Sequence, residues 1–220
     1  MTSVGARTLG RYALFDEIAS GGMGSVHLGR LLGQGGFART VAIKRLLPAF
    51  AHDPEFVSAL LNEARLAARI RHPNVVPTVD VVCEGDEVAL VMEWVLGESL
   101  SGLLKTLIGL GEMAPVGVAA RIAIDALQGL HAAHEATSDD GAPLGLVHRD
   151  VSPHNVLVGV DGIARITDFG VALATARLAT TKFGHVKGKI AYAPPEQVLL
   201  ETLDRRADIY AAGAVLWEML

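Results

Sequence analysis

The chain has 220 residues, of which 50% are hydrophobic and 20% are charged, a balance typical of a soluble globular protein with one or two compact lobes. The chain has 19 Lys and Arg residues and 24 Asp and Glu residues, so its net charge is −5. We therefore expect no binding to nucleic acid or to a membrane surface. A single cysteine excludes an internal disulfide and agrees with a reducing, cytoplasmic setting. We also expect no signal peptide and no membrane-spanning helix, since no run of about 18 apolar residues occurs.

The amino-terminal part of the chain is predicted to form mostly β-strands. Runs rich in β-branched residues predict strands over 12–18, 25–29, 40–44, 75–83 and 88–95. A helix is predicted between the third and fourth strands, because Asp53 is a good N-cap, Pro54 suits the first helical position, and apolar residues recur on one face. Cys83, in the fourth strand, is expected to lie in the core.

The remaining chain is predicted to be mainly helical, with helices over 98–107, 115–135 and 203–220. Asp161-Gly162 is a strong turn pair and predicts a short hairpin of residues 156–158 with 164–167. The pattern therefore predicts an α+β fold in two parts. A small antiparallel β-sheet with one main helix occupies residues 1–96, and a mainly helical part occupies residues 97–220.

Two features of the first part suit phosphate binding. Gly21, Gly22 and Gly24 form a turn between two strands, where missing side chains let backbone N–H groups approach phosphate oxygens. Glycine turns are common, so this motif alone is also compatible with an ordinary turn. Lys44 ends a strand, and Glu63 on the following helix could hold its ammonium group in place. The alternative is a surface lysine and an unrelated glutamate.

Two further motifs, in the second part, suit metal binding and proton transfer. In His148-Arg149-Asp150, the aspartate could accept the proton of an incoming hydroxyl, and Asn155, five residues later, could bind Mg²⁺ through its amide oxygen. Asp168 begins Asp-Phe-Gly 18 residues after Asp150, beyond the predicted hairpin, and is a second candidate Mg²⁺ ligand. A polar loop without chemistry is the alternative interpretation.

In this order and spacing, the four motifs make the chain resemble a protein kinase catalytic domain of the bacterial, eukaryotic-like serine/threonine type. The resemblance covers essentially the whole chain and includes Pro194-Pro195-Glu196 and Asp208. It implies a bilobal fold with a β-sheet N-lobe and a helical C-lobe, which here stops within the central C-lobe helix. It also implies transfer of the γ-phosphoryl group from Mg²⁺-ATP to serine or threonine hydroxyls of protein substrates, in signalling.

The resemblance assigns a role to each motif residue. Lys44 aligns the phosphates, Glu63 positions Lys44, and Asp150 is the catalytic base. Asn155 and Asp168 bind Mg²⁺. Met92 is the gatekeeper residue beside the adenine. The adenine is hydrogen-bonded to the Glu93 carbonyl and the Val95 amide, and aliphatic side chains pack on both of its faces. The implied nucleotide contacts besides Lys44 are Ile18, Ala19, Gly21, Gly22, Gly24, Val26, Ala42, Met92, Glu93, Val95 and Leu157.

Three positions depart from the family pattern. Ala19 replaces the first glycine of the loop, a change between small residues that we expect to matter little. Ser152 replaces the catalytic-loop lysine, and Lys189 replaces a threonine that is its neighbour in the family. We interpret these two as a reciprocal swap, in which Lys189 supplies the ammonium group and Ser152 the hydroxyl. The alternative is that Lys189 points to solvent and the site is impaired.

The resemblance also bears on substrate and regulation. The segment between Asp150 and Asn155 lacks the arginine and alanine pattern of tyrosine kinases, which favours Ser/Thr specificity. Arg149 could pair with a phosphate on Thr180 or Thr181 after autophosphorylation between two copies. His131 and His134 lie one helical turn apart, but no third metal ligand is apparent, so we interpret their helix as a scaffold.

Two other functions remain open at this point. A catalytically impaired nucleotide-binding scaffold is suggested by Ser152 and by the incomplete C-lobe, although five intact catalytic positions argue against it. A small-molecule phosphotransferase of related fold is the other alternative. The segment between Asp168 and Glu196, with its candidate phosphorylation sites, favours a protein substrate instead.

Overall fold

The computed structural model describes residues 7–21, 24–169 and 190–220. The chain divides into two compact units, the first made of residues 1–64 and 77–94 and the second of residues 65–76 and 95–220. This division differs from the predicted boundary after residue 96 chiefly because residues 65–76 belong to the second unit. Several predicted functional positions lie outside the described residues, namely Gly22, Thr180, Thr181 and Lys189.

The first unit contains a six-stranded antiparallel sheet with the order β1-β2-β3-β4-β6-β5. Its strands are β1 (Arg7–Leu9), β2 (Tyr12–Gly21), β3 (Gly24–Leu32), β4 (Ala38–Leu46), β5 (Thr78–Glu84) and β6 (Glu87–Glu93). Helix α1 (Pro48–Ala51) and helix α2 (Pro54–Ala67) lie between β4 and β5 in the chain. The predicted cap of α2 is confirmed, because the Asp53 carboxylate accepts hydrogen bonds from the N–H groups of Glu55 and Phe56 at 3.0 and 3.1 Å.

Side chains along β4 point alternately to the two faces of this sheet. Val41 and Ile43 are fully buried in the apolar core of the unit, so Ala42 and Lys44 point to the opposite face. The prediction that Cys83 lies in the core is wrong, since its side chain is exposed. The physical reason is that Cys83 lies near the end of β5, which is the edge strand of the sheet.

The second unit combines a three-stranded sheet with helices. Its strands, in the order β7-β8-β9, are β7 (Gly97–Ser99), β8 (Val156–Gly159) and β9 (Ala164–Ile166). Its helices are α3 (Leu100–Leu110), α4 (Val116–His134), α5 (Pro195–Val198) and α6 (Arg206–Met219). The predicted start of α3 at residue 98 was two residues early, because residues 97–99 pair with β8 instead. Nowhere in the part that the structure describes is a helix long and apolar enough to cross a membrane.

Residues 74–76 pair with β9 in the manner of a further strand. The Asn74 side-chain amide donates to the Ala164 carbonyl oxygen at 2.8 Å, and the Ile166 N–H donates to the Asn74 carbonyl oxygen at 2.9 Å. The Val76 N–H in turn donates to the Ile166 carbonyl oxygen at 2.8 Å. These hydrogen bonds explain why residues 65–76 belong to the second unit although their neighbours in sequence form the first.

Gly129 in α4 packs directly against this segment. A Cβ atom at Gly129 would overlap the Asn74 carbonyl oxygen, which is backbone and cannot move aside cheaply. We therefore expect Gly129→Ala to lower the free energy of unfolding by about 1–3 kcal/mol, although alanine is the better helix former. Gly117→Ala, in the same helix but facing open space, is the matched control and should stabilise by up to about 1 kcal/mol. Equal responses of the two variants to chemical denaturation would contradict this steric account.

Candidate active site

The first unit contains the glycine turn between β2 and β3. From Ala19 onward the strands stay in register up to the turn, with Gly21 opposite Gly24 and Ala19 opposite Val26. A Cβ atom on Gly24 would overlap the carbonyl oxygen of Arg45 on β4, so this close approach of two backbones requires glycine. The start of β3 is thereby held tightly against β4.

Several residues with predicted nucleotide contacts share one face of this sheet. Val26 on β3 and Leu90 on β6 are the register partners of Lys44, and Met92 on β6 is the partner of Ala42. Because cross-strand partners project to the same side, Val26, Ala42, Lys44 and Met92 form one contiguous surface. Ile18 and Ala19 are on β2, and Glu63 is on α2, where its side chain is largely buried.

The second unit contains the catalytic loop, whose fold depends on His148. The buried imidazole donates from Nε2 to the Thr167 carbonyl oxygen at 2.9 Å, and its Nδ1 accepts the Asp150 N–H at 3.2 Å. Since a carbonyl can only accept and an N–H can only donate, the ring is neutral with its proton on Nε2. The ring also packs edge-on against Phe169, with centroids 4.6 Å apart. His148 thus links the loop to the residues around Asp168.

Asp150, Asn155 and Asp168 are brought close together. The Asn155 side-chain N–H₂ group donates to the Asp150 carbonyl oxygen at 2.7 Å and to the Asp150 carboxylate at 2.9 Å. The Thr167 N–H donates to the Asn155 carbonyl oxygen at 3.0 Å, which places Asp168 beside Asn155. Because the Asn155 side-chain nitrogen is hydrogen-bonded to Asp150, the amide oxygen on the other branch of the same side chain points away from Asp150. One carboxylate and one amide oxygen form a donor set that fits Mg²⁺.

Asp208 on α6 fixes the backbone of this loop. One carboxylate oxygen accepts the His148 N–H at 2.8 Å and lies 2.8 Å from Nε2 of His134, and the other accepts the Arg149 N–H at 2.8 Å. Asp208 is fully buried, and His134 is nearly so. Arg149 and Asp168 both have left-handed backbone conformations, with φ of 64° and 65°. Such backbone strain persists only where the surroundings enforce it.

Ser152 is the buried hydroxyl of the catalytic loop. Its exposed fraction is 1%, and its Oγ has no hydrogen-bond partner among the residues that the structure describes. A buried hydroxyl without a partner costs free energy. The partner that we predicted for this region, Lys189, lies outside the described residues.

The structure also reveals residues that the sequence analysis did not assign to the site. His134 was interpreted as part of a scaffold helix, but it contacts Asp208. Gln197 on α5 donates to the Arg149 carbonyl oxygen at 3.0 Å and lines a small cavity beside Asp150. Tyr192 also lines this cavity and donates to the Glu218 carboxylate at 2.6 Å; burial and this hydrogen bond raise the pKa of Tyr192. No sequence pattern indicates these three contacts, because each joins residues that are far apart in the chain and that only the fold brings together.

Comparison with known proteins decides the family. The profile described as protein kinase domain matches residues 12–220. The chain belongs to the protein kinase domain family. This confirms the family and the fold class that were predicted from the glycine turn, the lysine strand, the catalytic loop and the Asp-Phe-Gly motif.

Bacterial kinases are among its relatives. The tyrosine-protein kinase MasK of Myxococcus xanthus is 43% identical over 211 residues, which cover 96% of this chain and 33% of MasK. The serine/threonine-protein kinase PknL of Mycobacterium tuberculosis is 38% identical over 213 residues, 96% of this chain and 49% of PknL. The crystal structure of the M. tuberculosis PknI kinase domain has a TM-score of 0.76 at 26% identity, covering 99% of this chain and 77% of that one. The kinase domain described here thus spans between a third and a half of the two sequence relatives.

Proposed function

We propose that the protein is an ATP- and Mg²⁺-dependent protein kinase that transfers the γ-phosphoryl group to serine or threonine hydroxyls of other proteins. One observation carries this proposal. Asp150, Asn155 and Asp168 lie close together at one junction, and the buried carboxylate of Asp208 anchors the loop that leads into it. A general base and two oxygen ligands near one another are what phosphoryl transfer to a hydroxyl requires.

Each residue of this junction has a distinct part in the proposed reaction. The Asp150 carboxylate would accept the proton of the substrate hydroxyl, and the hydrogen bond from Asn155 holds that carboxylate in one orientation. Asp168 and the Asn155 amide oxygen would hold Mg²⁺. When bound, the ion neutralises negative charge on the phosphates.

The nucleotide would bind the surface formed by Val26, Ala42, Lys44 and Met92. Lys44 is the one cation of that surface and would align the phosphates, positioned by Glu63. Ile18, Ala19 and Leu157 would complete the apolar contacts of the adenine, which would bond the Glu93 carbonyl and the Val95 amide. The glycine turn would bring backbone N–H groups to the phosphates.

Regulation is the second part of the proposal. The Arg149 guanidinium Nε is buried and has no hydrogen-bond partner within the described ranges. Its N–H group is suited to donate a hydrogen bond to a phosphate oxygen. We therefore keep the prediction that Thr180 or Thr181 becomes phosphorylated when two copies meet. Protein substrates, signalling and a cytoplasmic location belong to the same proposal.

A tyrosine hydroxyl is a second candidate acceptor, because MasK, at 43% identity, is named a tyrosine-protein kinase. PknL, at 38% identity, is named a serine/threonine-protein kinase. The residues between Asp150 and Asn155 lack the arginine and alanine of tyrosine kinase loops, which supports the serine/threonine assignment for this chain. Phosphoamino acid analysis of the labelled product separates the two.

The test is phosphate transfer from labelled ATP with Mg²⁺, to the protein itself and to a generic protein substrate, beside an Asp168→Ala control. We expect acid-stable label on serine or threonine that disappears in the control. Label on tyrosine alone would overturn the assigned hydroxyl class. A folded protein that binds ATP and transfers nothing would instead support the nucleotide-binding scaffold.

A further inference from the structure

The β2–β3 hairpin carries a row of hydrogen bonds that the proposed nucleotide contacts do not use. The Ser25 Oγ lies 2.9 Å from Nε2 of His27, and Nδ1 of the same imidazole lies 3.2 Å from the Phe15 carbonyl oxygen. A carbonyl can only accept, so Nδ1 carries a proton. In the neutral ring, Nε2 is then the acceptor and the Ser25 hydroxyl is the donor. The row therefore runs from Ser25 through His27 to Phe15.

Irregular pairing explains why the Phe15 carbonyl needs such a donor. Between Leu14 and Glu17 the β2 strand advances three residues while β3 advances two, and a second irregularity follows between Glu17 and Ala19. A bulge of this kind leaves backbone groups without their ladder partner and increases the local twist. His27 supplies a side-chain donor at this point and so ties the bulged part of β2 to β3.

The other end of the row lies next to the glycine turn. Ser25 follows Gly24 directly and pairs with Ser20, one step from the Gly21 and Gly24 pair that closes the turn. The hydrogen bonds thus connect the bulge, in the middle of β2, with the first residues after the turn.

This row lies on the face of the hairpin that is opposite the proposed nucleotide surface. On β4, the register partners of Ser25 and His27 are Arg45 and Ile43, whereas the partner of Val26 is Lys44. Since side chains alternate along a strand, Ser25 and His27 cannot touch a nucleotide that lies against Val26 and Lys44.

We propose that Ser25 and His27 are positioning residues, which hold the glycine turn in the shape that receives the nucleotide phosphates. They act through the hairpin backbone and touch neither nucleotide nor metal. The inference rests on the proposed function in one respect, namely that the glycine turn binds the phosphates. It assigns the pairing of the strand ends at Gly21 and Gly24 to three hydrogen-bonding groups, and sites that are ordered before binding bind their ligands more tightly.

Equilibrium binding of a non-hydrolysable Mg²⁺-ATP analogue tests the proposal. Loss of one such hydrogen bond corresponds to roughly a threefold to tenfold change in an equilibrium constant. We expect Ser25→Ala and His27→Leu each to weaken binding by about this factor, and Ser25→Thr, which keeps the hydroxyl, to bind like the natural protein. Because the two residues act in one row, the double variant should bind no more weakly than His27→Leu alone. In phosphate transfer, the loss should appear in KM for ATP and not in kcat.

Ser20→Ala is the matched control, since Ser20 is the exposed register partner of Ser25 and lies outside the row. We expect it to leave the affinity for the analogue unchanged. If the Ser25, His27 and Ser20 variants all lose affinity equally, the hairpin is merely sensitive to substitution and the proposal is overturned. If all of them bind like the natural protein, the row has no positioning role. A natural protein that does not bind the analogue at all would count against the proposed function itself.

Discussion

Asp208→Asn is expected to lower the free energy of unfolding of the second unit by about 1–3 kcal/mol, because it leaves a buried backbone N–H group without an acceptor. The carboxylate accepts two backbone N–H groups, one on each oxygen, and the His134 imidazole beside them. Asparagine has one acceptor oxygen, so in either orientation its N–H₂ group faces the N–H of His148 or of Arg149. A donor that faces a donor in a fully buried site can neither bond nor reach water.

The same substitution is expected to abolish phosphate transfer, because the held N–H groups belong to the two residues before Asp150. Denaturant unfolding and single-turnover transfer measure the two effects. Asp204→Asn is the matched control on the segment that leads into α6; its carboxylate is exposed beside Arg206, and the unfolding midpoint should barely move. An Asp208→Asn protein with unchanged stability would show that the loop keeps its conformation by other means.

Lys189→Thr is expected to lower kcat by about 10²–10³-fold, the usual effect of removing one group that stabilises developing charge in the transition state. The reason is the pairing proposed between Lys189 and Ser152, in which an ammonium group from outside the catalytic loop replaces the missing lysine. One observation motivates this idea. The Ser152 hydroxyl is buried and unbonded among the described residues, as expected if its partner comes from elsewhere in the chain.

A double-mutant cycle decides the matter. Adding Ser152→Lys to Lys189→Thr restores the family's usual arrangement and should recover part of the lost turnover. Lys187→Thr, two residues away in the same segment, is the control and should keep nearly full activity. If the double variant is no more active than Lys189→Thr while both still bind ATP, the swap is excluded.

The sequence predicts the local features of this chain well. Asp53 caps α2 as expected, and the alternation around Lys44 places it on the face opposite the core, because both effects depend on neighbours within a few residues. The order and spacing of the motifs are equally visible in the sequence, which is why the family could be predicted from them.

The long-range contacts could not be predicted in the same way. His134 meets an aspartate 74 residues later, and the pairing of residues 97–99 with β8 depends on a strand almost 60 residues away. Neither contact is indicated by the hydrophobic periodicity or the composition of the sequence around it. Cys83 illustrates the converse error, since an apolar stretch predicts a strand but does not show that the strand lies at an edge.

The pairing of residues 74–76 with β9 has a consequence for how the chain folds. Asn74 hydrogen-bonds a residue 90 positions later, so on the ribosome this hydrogen bond cannot form until β9 has emerged. Contacts of such sequence separation raise the contact order and slow folding. The first unit is then built from two stretches of chain, and the segment that joins them completes its strand pairing only when β9 is available. We therefore expect the second unit to limit the folding rate, with the closure of this loop late in the process.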